Sequence, residues 1–216
     1  MRKISVLILL AASGCAAPVP RANWQNFSDA LNKRQYPVTV NYGIKFDSLV
    51  KNGELSGHYI LFDPEINSRN FSLTISGEKR VQVLLAHFDR QPMTHLEILA
   101  ALNQQRLRPA NPQEFLRFIQ AHNSYLKDVS FTLNLFEGQR IEIVCLGSFC
   151  QSKKNSYPEV LRWRMSEGMD GLEGIPVSVL DLAPLGLNWL SDSYFAVVSA
   201  DSAEEDVEIK PKTLEK

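Results

Sequence analysis

The chain predicts an α+β fold: a largely antiparallel β-sheet with two central α-helices packed on it. Three observations carry this expectation. About eight short runs alternate apolar and polar residues or are rich in β-branched side chains, the pattern of strands. Two segments in the middle, opening at Thr94 and Asn111, combine helix start signals with apolar residues at helical spacing. Helices and strands do not alternate regularly, so a parallel βαβ order is not indicated.

The elements follow in chain order. Val38-Thr39-Val40-Asn41-Tyr42 is β-branched and alternates, a strand. Phe46, Leu49 and Val50 recur at helical spacing before Gly53. Ile60 to Phe62 is apolar and ends in the turn-rich FDPEINSRN. Phe71, Leu73 and Ile75 alternate up to Ser76-Gly77 and residues 81–88 resume as a second strand, so the two runs predict a hairpin.

The helices come next. Thr94-His95-Leu96-Glu97 is a capping box, in which the Thr hydroxyl accepts the amide proton three residues on and Glu97 reaches back. That helix, with Leu96, Leu99, Ala100, Asn103 and Leu107 sharing a face, must end before Pro109. Asn111-Pro112-Gln113-Glu114 starts another, with Asn as N-cap and Pro at the first helical position. Phe115, Phe118, Ile119 and His122 give it an apolar stripe with one histidine.

After Leu126 the pattern predicts strands again. Phe131, Leu133 and Leu135 alternate, as do Ile141, Ile143 and Cys145; residues 160–165, 177–180 and 194–199 complete the series.

The order VTVNY, VQVLLAHF, MTHLEILAALNQQRLRPANPQEFLRF, IVCLGS and SYFAVV resembles a group of uncharacterised bacterial proteins. In that group a strand-rich start leads through a helix, an R-P-A turn and a second helix to an A-L-G-S-like strand and a final F-L-A-V strand. The likeness spans about Val38 to Ala200, with Arg108-Pro109-Ala110 as its most specific element. It implies a shared fold and assigns no chemistry; cysteines around the L-G-S stretch and the leader described next are departures from it.

Arg2 and Lys3 followed by a nearly unbroken apolar run of nine residues, Ile4 to Ala12, have the layout of an export signal. The run is far short of the ~20 residues that span a bilayer. Ala12-Ser13-Gly14-Cys15 resembles the bacterial lipoprotein signal, which implies cleavage before Cys15 and acylation of that cysteine. In that family Ala at the next position, here Ala16, accompanies outer-membrane sorting. More than one acyl chain, each buried methylene contributing about 0.8 kcal/mol, makes a stable anchor. The plain alternative is an ordinary export signal that contains a cysteine.

The expected organisation is therefore a leader at 1–14, a tether at 15–37, one α+β domain at 38–200 and a charged tail at 201–216. With 44% hydrophobic residues the domain has material for a core. Loss of Arg2 and Lys3 leaves 21 of the 23 basic residues against 24 acidic ones, and no basic patch points to nucleic acid. In an oxidising compartment Cys145 and Cys150 in CLGSFC read as a disulfide across a tight turn. The alternatives are free structural thiols, or a metal or redox role for which neither partners nor spacing are present.

No constellation indicates catalysis, a cofactor or a metal. His58, His87, His95 and His122 lack metal spacing; His122 reads as a satisfied core histidine, and His87 with Asp89 as a surface pair. The carboxylates Asp63, Glu65, Asp170 and Glu173 lie in expected loops, and SEGMDGLEG reads as a hairpin tip rather than a calcium loop. Gly147-Ser148 is a turn without an identifiable base, and Trp163, Trp189 and Tyr194 are expected to pack the sheet. The favoured reading is a non-enzymatic envelope lipoprotein, bound to the membrane through its lipid on the periplasmic side of the outer membrane, acting as a binding or structural module toward another envelope protein, a glycan or a surface structure. The alternative is a periplasmic enzyme, hydrolase-like, of unrecognised type.

Overall fold

The computed structural model describes residues 35–61, 63–71, 75–88, 93–137, 141–151, 157–166, 177–186, 189 and 193–199. The expected leader with Cys15, the tether up to residue 34, the tail at 201–216, Asp89, Asp170 and Glu173 lie outside them, as do 72–74 and 167–176.

The first strand, β1 (Tyr36–Asn41), turns Tyr36, Val38 and Val40 inward and the residues between them outward. It begins two residues before the expected domain boundary, because Tyr36 is itself a core residue, fully buried. The helix α1 (Phe46–Leu55) buries Phe46, Leu49, Val50 and Gly53. A Cβ on Gly53 would collide with the Tyr59 ring. That ring lies across the helix so that its hydroxyl donates to the Val50 carbonyl at 3.0 Å, while Gln120 Nε2 donates to the Leu49 carbonyl at 2.9 Å. Two carbonyls within the helix thereby take a further hydrogen bond from outside it.

After the short β2 (Ile60–Leu61) and β3 (Glu78–Ala86) comes α2 (His95–Gln104), opened by the expected capping box. Glu97 N–H donates to Thr94 Oγ1 at 3.3 Å, and Thr94 N–H donates to Glu97 Oε2 at 2.9 Å. Its sheet-facing residues are Ile98 and Leu102; Leu96 is exposed. A three-residue strand, β4 (Leu107–Pro109), then leads into α3 (Pro112–Glu137), a helix of 26 residues.

The length of α3 overturns the strand expected at Phe131, Leu133 and Leu135. From Gln113 to Glu137 the chain has no glycine or proline to stop a helix. Leu126, Val129, Leu133 and Phe136 also recur at three- and four-residue spacing, so extension added one backbone hydrogen bond per residue. The remaining strands are β5 (Glu142–Gln151), β6 (Pro158–Ser166), β7 (Val177–Pro184) and β8 (Ser193–Ser199).

Together these form an α+β fold. Its eight strands make one sheet in the order β1-β3-β8-β5-β6-β7-β2, with β4 added beside β8. Most neighbours are antiparallel, but β5 with β8 and β2 with β7 are parallel, so the sheet is mixed. The first strand of the expected hairpin of residues 71–75 with 81–88 lies largely outside the described residues; β3 itself pairs with β1 along one part and with β8 along another. The long-range partners bury Val81, Val83 and Leu85 fully, which a local hairpin alone does not achieve.

One face of the sheet carries the larger core, to which α1 and α3 contribute Phe46, Leu49, Val50, Phe115, Phe118 and Ile119. Each such side chain, removed from water, contributes about 1.5–3 kcal/mol. The other face carries a smaller core, where α2 and Trp189 cover Val144, Val160, Phe195 and Val197. At the β1 edge, Pro37 offers no N–H, and the Pro37 and Thr39 carbonyls are met by His122 Nε2 (3.4 Å) and Arg117 Nε (3.4 Å) from α3. An edge so covered is a poor template for another strand.

Candidate functional site

Two polar clusters stand out from the cores. The first forms where β4 turns into α3. β5 runs parallel to β8 only from Glu142 to Val144. Beyond that point β4 takes its place, pairing Leu107, Arg108 and Pro109 with Ser199, Val198 and Val197. Ala110 N–H continues the ladder, donating to the Ala196 carbonyl at 2.9 Å.

β5 makes room for this insertion by bulging. Its residues from Cys145 to Phe149 span a single step of β6, from Leu161 to Val160. Within the bulge Gly147 rests on the Ala110–Asn111 peptide so closely that any Cβ would fall inside the Ala110 carbonyl. The same carbonyl accepts a hydrogen bond from Cys145 Sγ at 3.1 Å. The R-P-A turn and the L-G-S strand, far apart in sequence, are thus two sides of one contact.

At this junction Asn111 caps α3 as its residue type and position predict: its Oδ1 accepts from the Gln113 and Glu114 amides, both at 3.0 Å. Glu114, fully buried, reaches back to accept from Asn111 N–H at 2.8 Å. Its carboxylate also accepts both terminal nitrogens of Arg108, at 2.8 and 2.9 Å, and the Tyr42 hydroxyl at 2.8 Å. A buried carboxylate is costly unless paired and hydrogen-bonded, and this one has four donors. Burial, reinforced by the Glu114 charge, raises the Tyr42 hydroxyl above its ordinary range. Burial alone would lower Arg108, but its hydrogen bonds to Glu114 and the attraction of that charge carry it above its ordinary value. Sealed from solvent, Glu114 is a structural lock.

The second cluster lies on the α2 face of the sheet, beside the smaller core. Arg162 on β6 donates through Nε and Nη2 to Asp181 on β7 (2.9 and 3.0 Å) and through Nη1 to Glu142 on β5 (3.0 Å). Arg164 Nε donates to Asp181 at 2.8 Å, and Ser193 Oγ of β8 donates to Glu142 at 2.6 Å. Four strands are tied by one row of charge. Desolvation opposes the charge on Arg162, yet Asp181 and Glu142 outweigh it and raise its pKa. The Arg162 and Glu142 side chains are each 21% exposed and that of Arg164 is 31% exposed, so this row meets solvent where Glu114 does not. It offers fixed donors and acceptors to a polar partner.

The residues singled out in sequence are placed as follows. Cys145 and Cys150 are free thiols, and the expected disulfide is not formed. The tight turn it required is absent because β5 runs through the whole stretch, and the Cys145 thiol is committed to the Ala110 carbonyl. Burial pushes the Cys145 thiol up to about 12; burial and the charge of Glu159, Glu65 and Asp63 push Cys150 up to about 11. Both are neutral thiols near pH 7, without the thiolate that nucleophilic chemistry uses.

His122 is part-buried against the Tyr36 ring, centroids 5.1 Å apart; His87 stacks on Tyr194 at 4.8 Å. His95 is the first residue of α2, and the His58 carbonyl accepts from Ser178 Oγ at 2.6 Å. Asp63 Oδ1 accepts from the Glu65 amide at 2.8 Å, a local turn. Trp163 and Tyr194 lie in the larger core and Trp189 in the smaller one, on opposite faces, so they pack the sheet and form no common platform.

Sequence reasoning marked Arg108 as part of the R-P-A turn without giving it a role, and gave none to Tyr42, Arg162, Arg164, Glu142 and Asp181. A signal was present for two of them: Arg162 and Arg164 alternate on one strand and so face the same side. Among the described residues no helix is long and apolar enough to cross a membrane. No family model, curated protein or solved structure matches the chain.

Proposed function

We propose that this chain is a lipid-anchored module of the bacterial cell envelope, cleaved before Cys15, acylated on that cysteine and sorted to the periplasmic side of the outer membrane. There it binds or supports an envelope protein or a glycan without catalysing a reaction. The observation that carries this reading is the segment from Arg2 to Cys15: a positive start, a nine-residue run that is apolar but for Ser5, and Ala-Ser-Gly before a cysteine.

The folded domain supports it from another side. Among the described residues its two ionisable clusters are each paired internally: Glu114 with Arg108 and Tyr42, Arg162 with Asp181 and Glu142, and Arg164 with Asp181. Such internal pairing holds a surface in shape and fits a binding or scaffold role. The row on β5, β6 and β7, part-exposed at Glu142, Arg162 and Arg164, is the polar patch where a partner would be met.

Metabolic labelling with a fatty-acid analogue tests the anchor. Label is expected on the wild-type protein in the membrane fraction, with Cys15→Ala unlabelled and released to the soluble fraction. A Cys15→Ala protein still retained by membranes in high salt would sink the reading.

A further inference from the structure

The charged row on the α2 face has an unfinished end. Register sets its levels: Phe195, Val144, Arg162 and Asp181 stand side by side on β8, β5, β6 and β7. One level further from the smaller core stand Ser193, Glu142, Arg164 and Val179, and beyond them Ser166 faces Val177. Arg162 commits Nε, Nη1 and Nη2 to Asp181 and Glu142. Arg164 commits only Nε, to Asp181 at 2.8 Å; among the described residues its Nη1 and Nη2 have no hydrogen-bond partner. Ser166, two residues on and therefore on the same face, is part-exposed, and its hydroxyl likewise has no partner among the described residues.

The bond to Asp181 fixes the Arg164 guanidinium and leaves its end-on fork, two parallel donors whose spacing matches the two oxygens of a carboxylate. Residues i and i+2 of a strand stand about 7 Å apart, a gap that one hydrogen-bonded carboxylate spans. The neighbouring charges set the ligand's charge. Glu142 stands opposite Arg164 across the β5–β6 pair, and Asp181 is shared by both arginines, so two cations already face two carboxylates. A monoanion is therefore favoured over a dianion such as phosphate. Val177, part-exposed beside Ser166, offers apolar surface that suits the methylene stem of an acidic side chain better than the hydroxyl-covered ring of an acidic sugar.

We propose that Arg164 and Ser166 form a receptor for a side-chain carboxylate on an acidic segment of an envelope protein. The inference names the partner chemistry of the polar row and rests on the binding role proposed above. Arg164 supplies the charge and the fork, Ser166 a further donor, and Asp181 and Arg162 hold the fork in place.

NMR titration of the full-length Cys15→Ala chain with N-acetylglutamate methylamide tests this, at ionic strength matched with sodium chloride. Saturable shifts of the Arg164, Ser166 and Val177 amides are expected, with a dissociation constant on the order of a millimolar. The neutral glutamine analogue is expected to leave them in place. Arg164→Lys keeps the charge but not the fork and is expected to weaken binding about tenfold, and Ser166→Ala about threefold at an unchanged unfolding midpoint. Should the lysine variant fail to fold, Ser166→Ala carries the test. Absence of saturable shifts overturns the proposal, as does full affinity in the variants. Equal or tighter binding of glucuronate or inorganic phosphate also overturns it, since the site then takes a sugar acid or any oxyanion. Fatty-acid labelling at Cys15 reads the anchor separately, so a failed anchor and a failed receptor give different results.

Discussion

Glu114 is the side chain on which its neighbourhood most depends. Arg108→Ala leaves a carboxylate buried without its counter-charge, and about 3–5 kcal/mol of stability is expected to be lost, read as a lower urea midpoint at pH 7. Changing both partners, Arg108→Met with Glu114→Gln, is expected to cost less than Arg108→Ala alone, since no uncompensated charge remains. Equal losses in the two variants would contradict the ion-pair account. The thiols give a pH signature. Their folded values, about 12 for Cys145 and about 11 for Cys150, lie above the ordinary 9.0. Below pH 9 both states hold neutral thiols and no slope arises; as pH climbs from 9 toward 11 or 12 the unfolded chain ionises first, so stability falls. Cys145→Ala is expected to flatten that fall in an unfolding series from pH 7 to 11, and thiol reagents to leave both cysteines unlabelled until the chain unfolds.

At the scale of elements, the bulge in β5 and the start of α3 act together. Gly147→Ala forces its new Cβ against the Ala110 carbonyl, and because that backbone is held by both Ala196 and Cys145 it has little room to yield. An overpacking cost of about 1–3 kcal/mol is expected in denaturant unfolding, and a neutral result would show that the contact is loose. Local chemistry made the helix starts legible: Thr94 with Glu97, and Asn111 with Pro112 and Glu114, cap as their spacing dictates. The end of α3 was not legible, because the alternation of Phe131, Leu133 and Leu135 fits a strand while their wider spacing fits a helix. Only the lack of a breaker before Gly138 separates the two. β4 escaped notice since three residues ending in proline carry no periodicity, and the partners of β3 lie about 40 residues before it and more than 100 after it.

For the molecule as a whole, inward and outward alternation was readable along β1, strands were readable at β6, β7 and β8, and so was the fold class. The order of strands was not, because it is decided by contacts between distant segments. The charged row of Arg162, Arg164, Asp181 and Glu142 shows why the same limit applies to sites: each residue is an ordinary charge on its own strand, and only register makes them one group. That register has a consequence in time. β8, the last described strand in chain order, sits between β3 and β5 and also receives β4. A chain emerging from its N-terminus first therefore holds an unfinished sheet in two halves, their inner edges bare, until Ser193 to Ser199 arrives. The sheet closes only once that strand is present, so holding factors are most needed just before it appears.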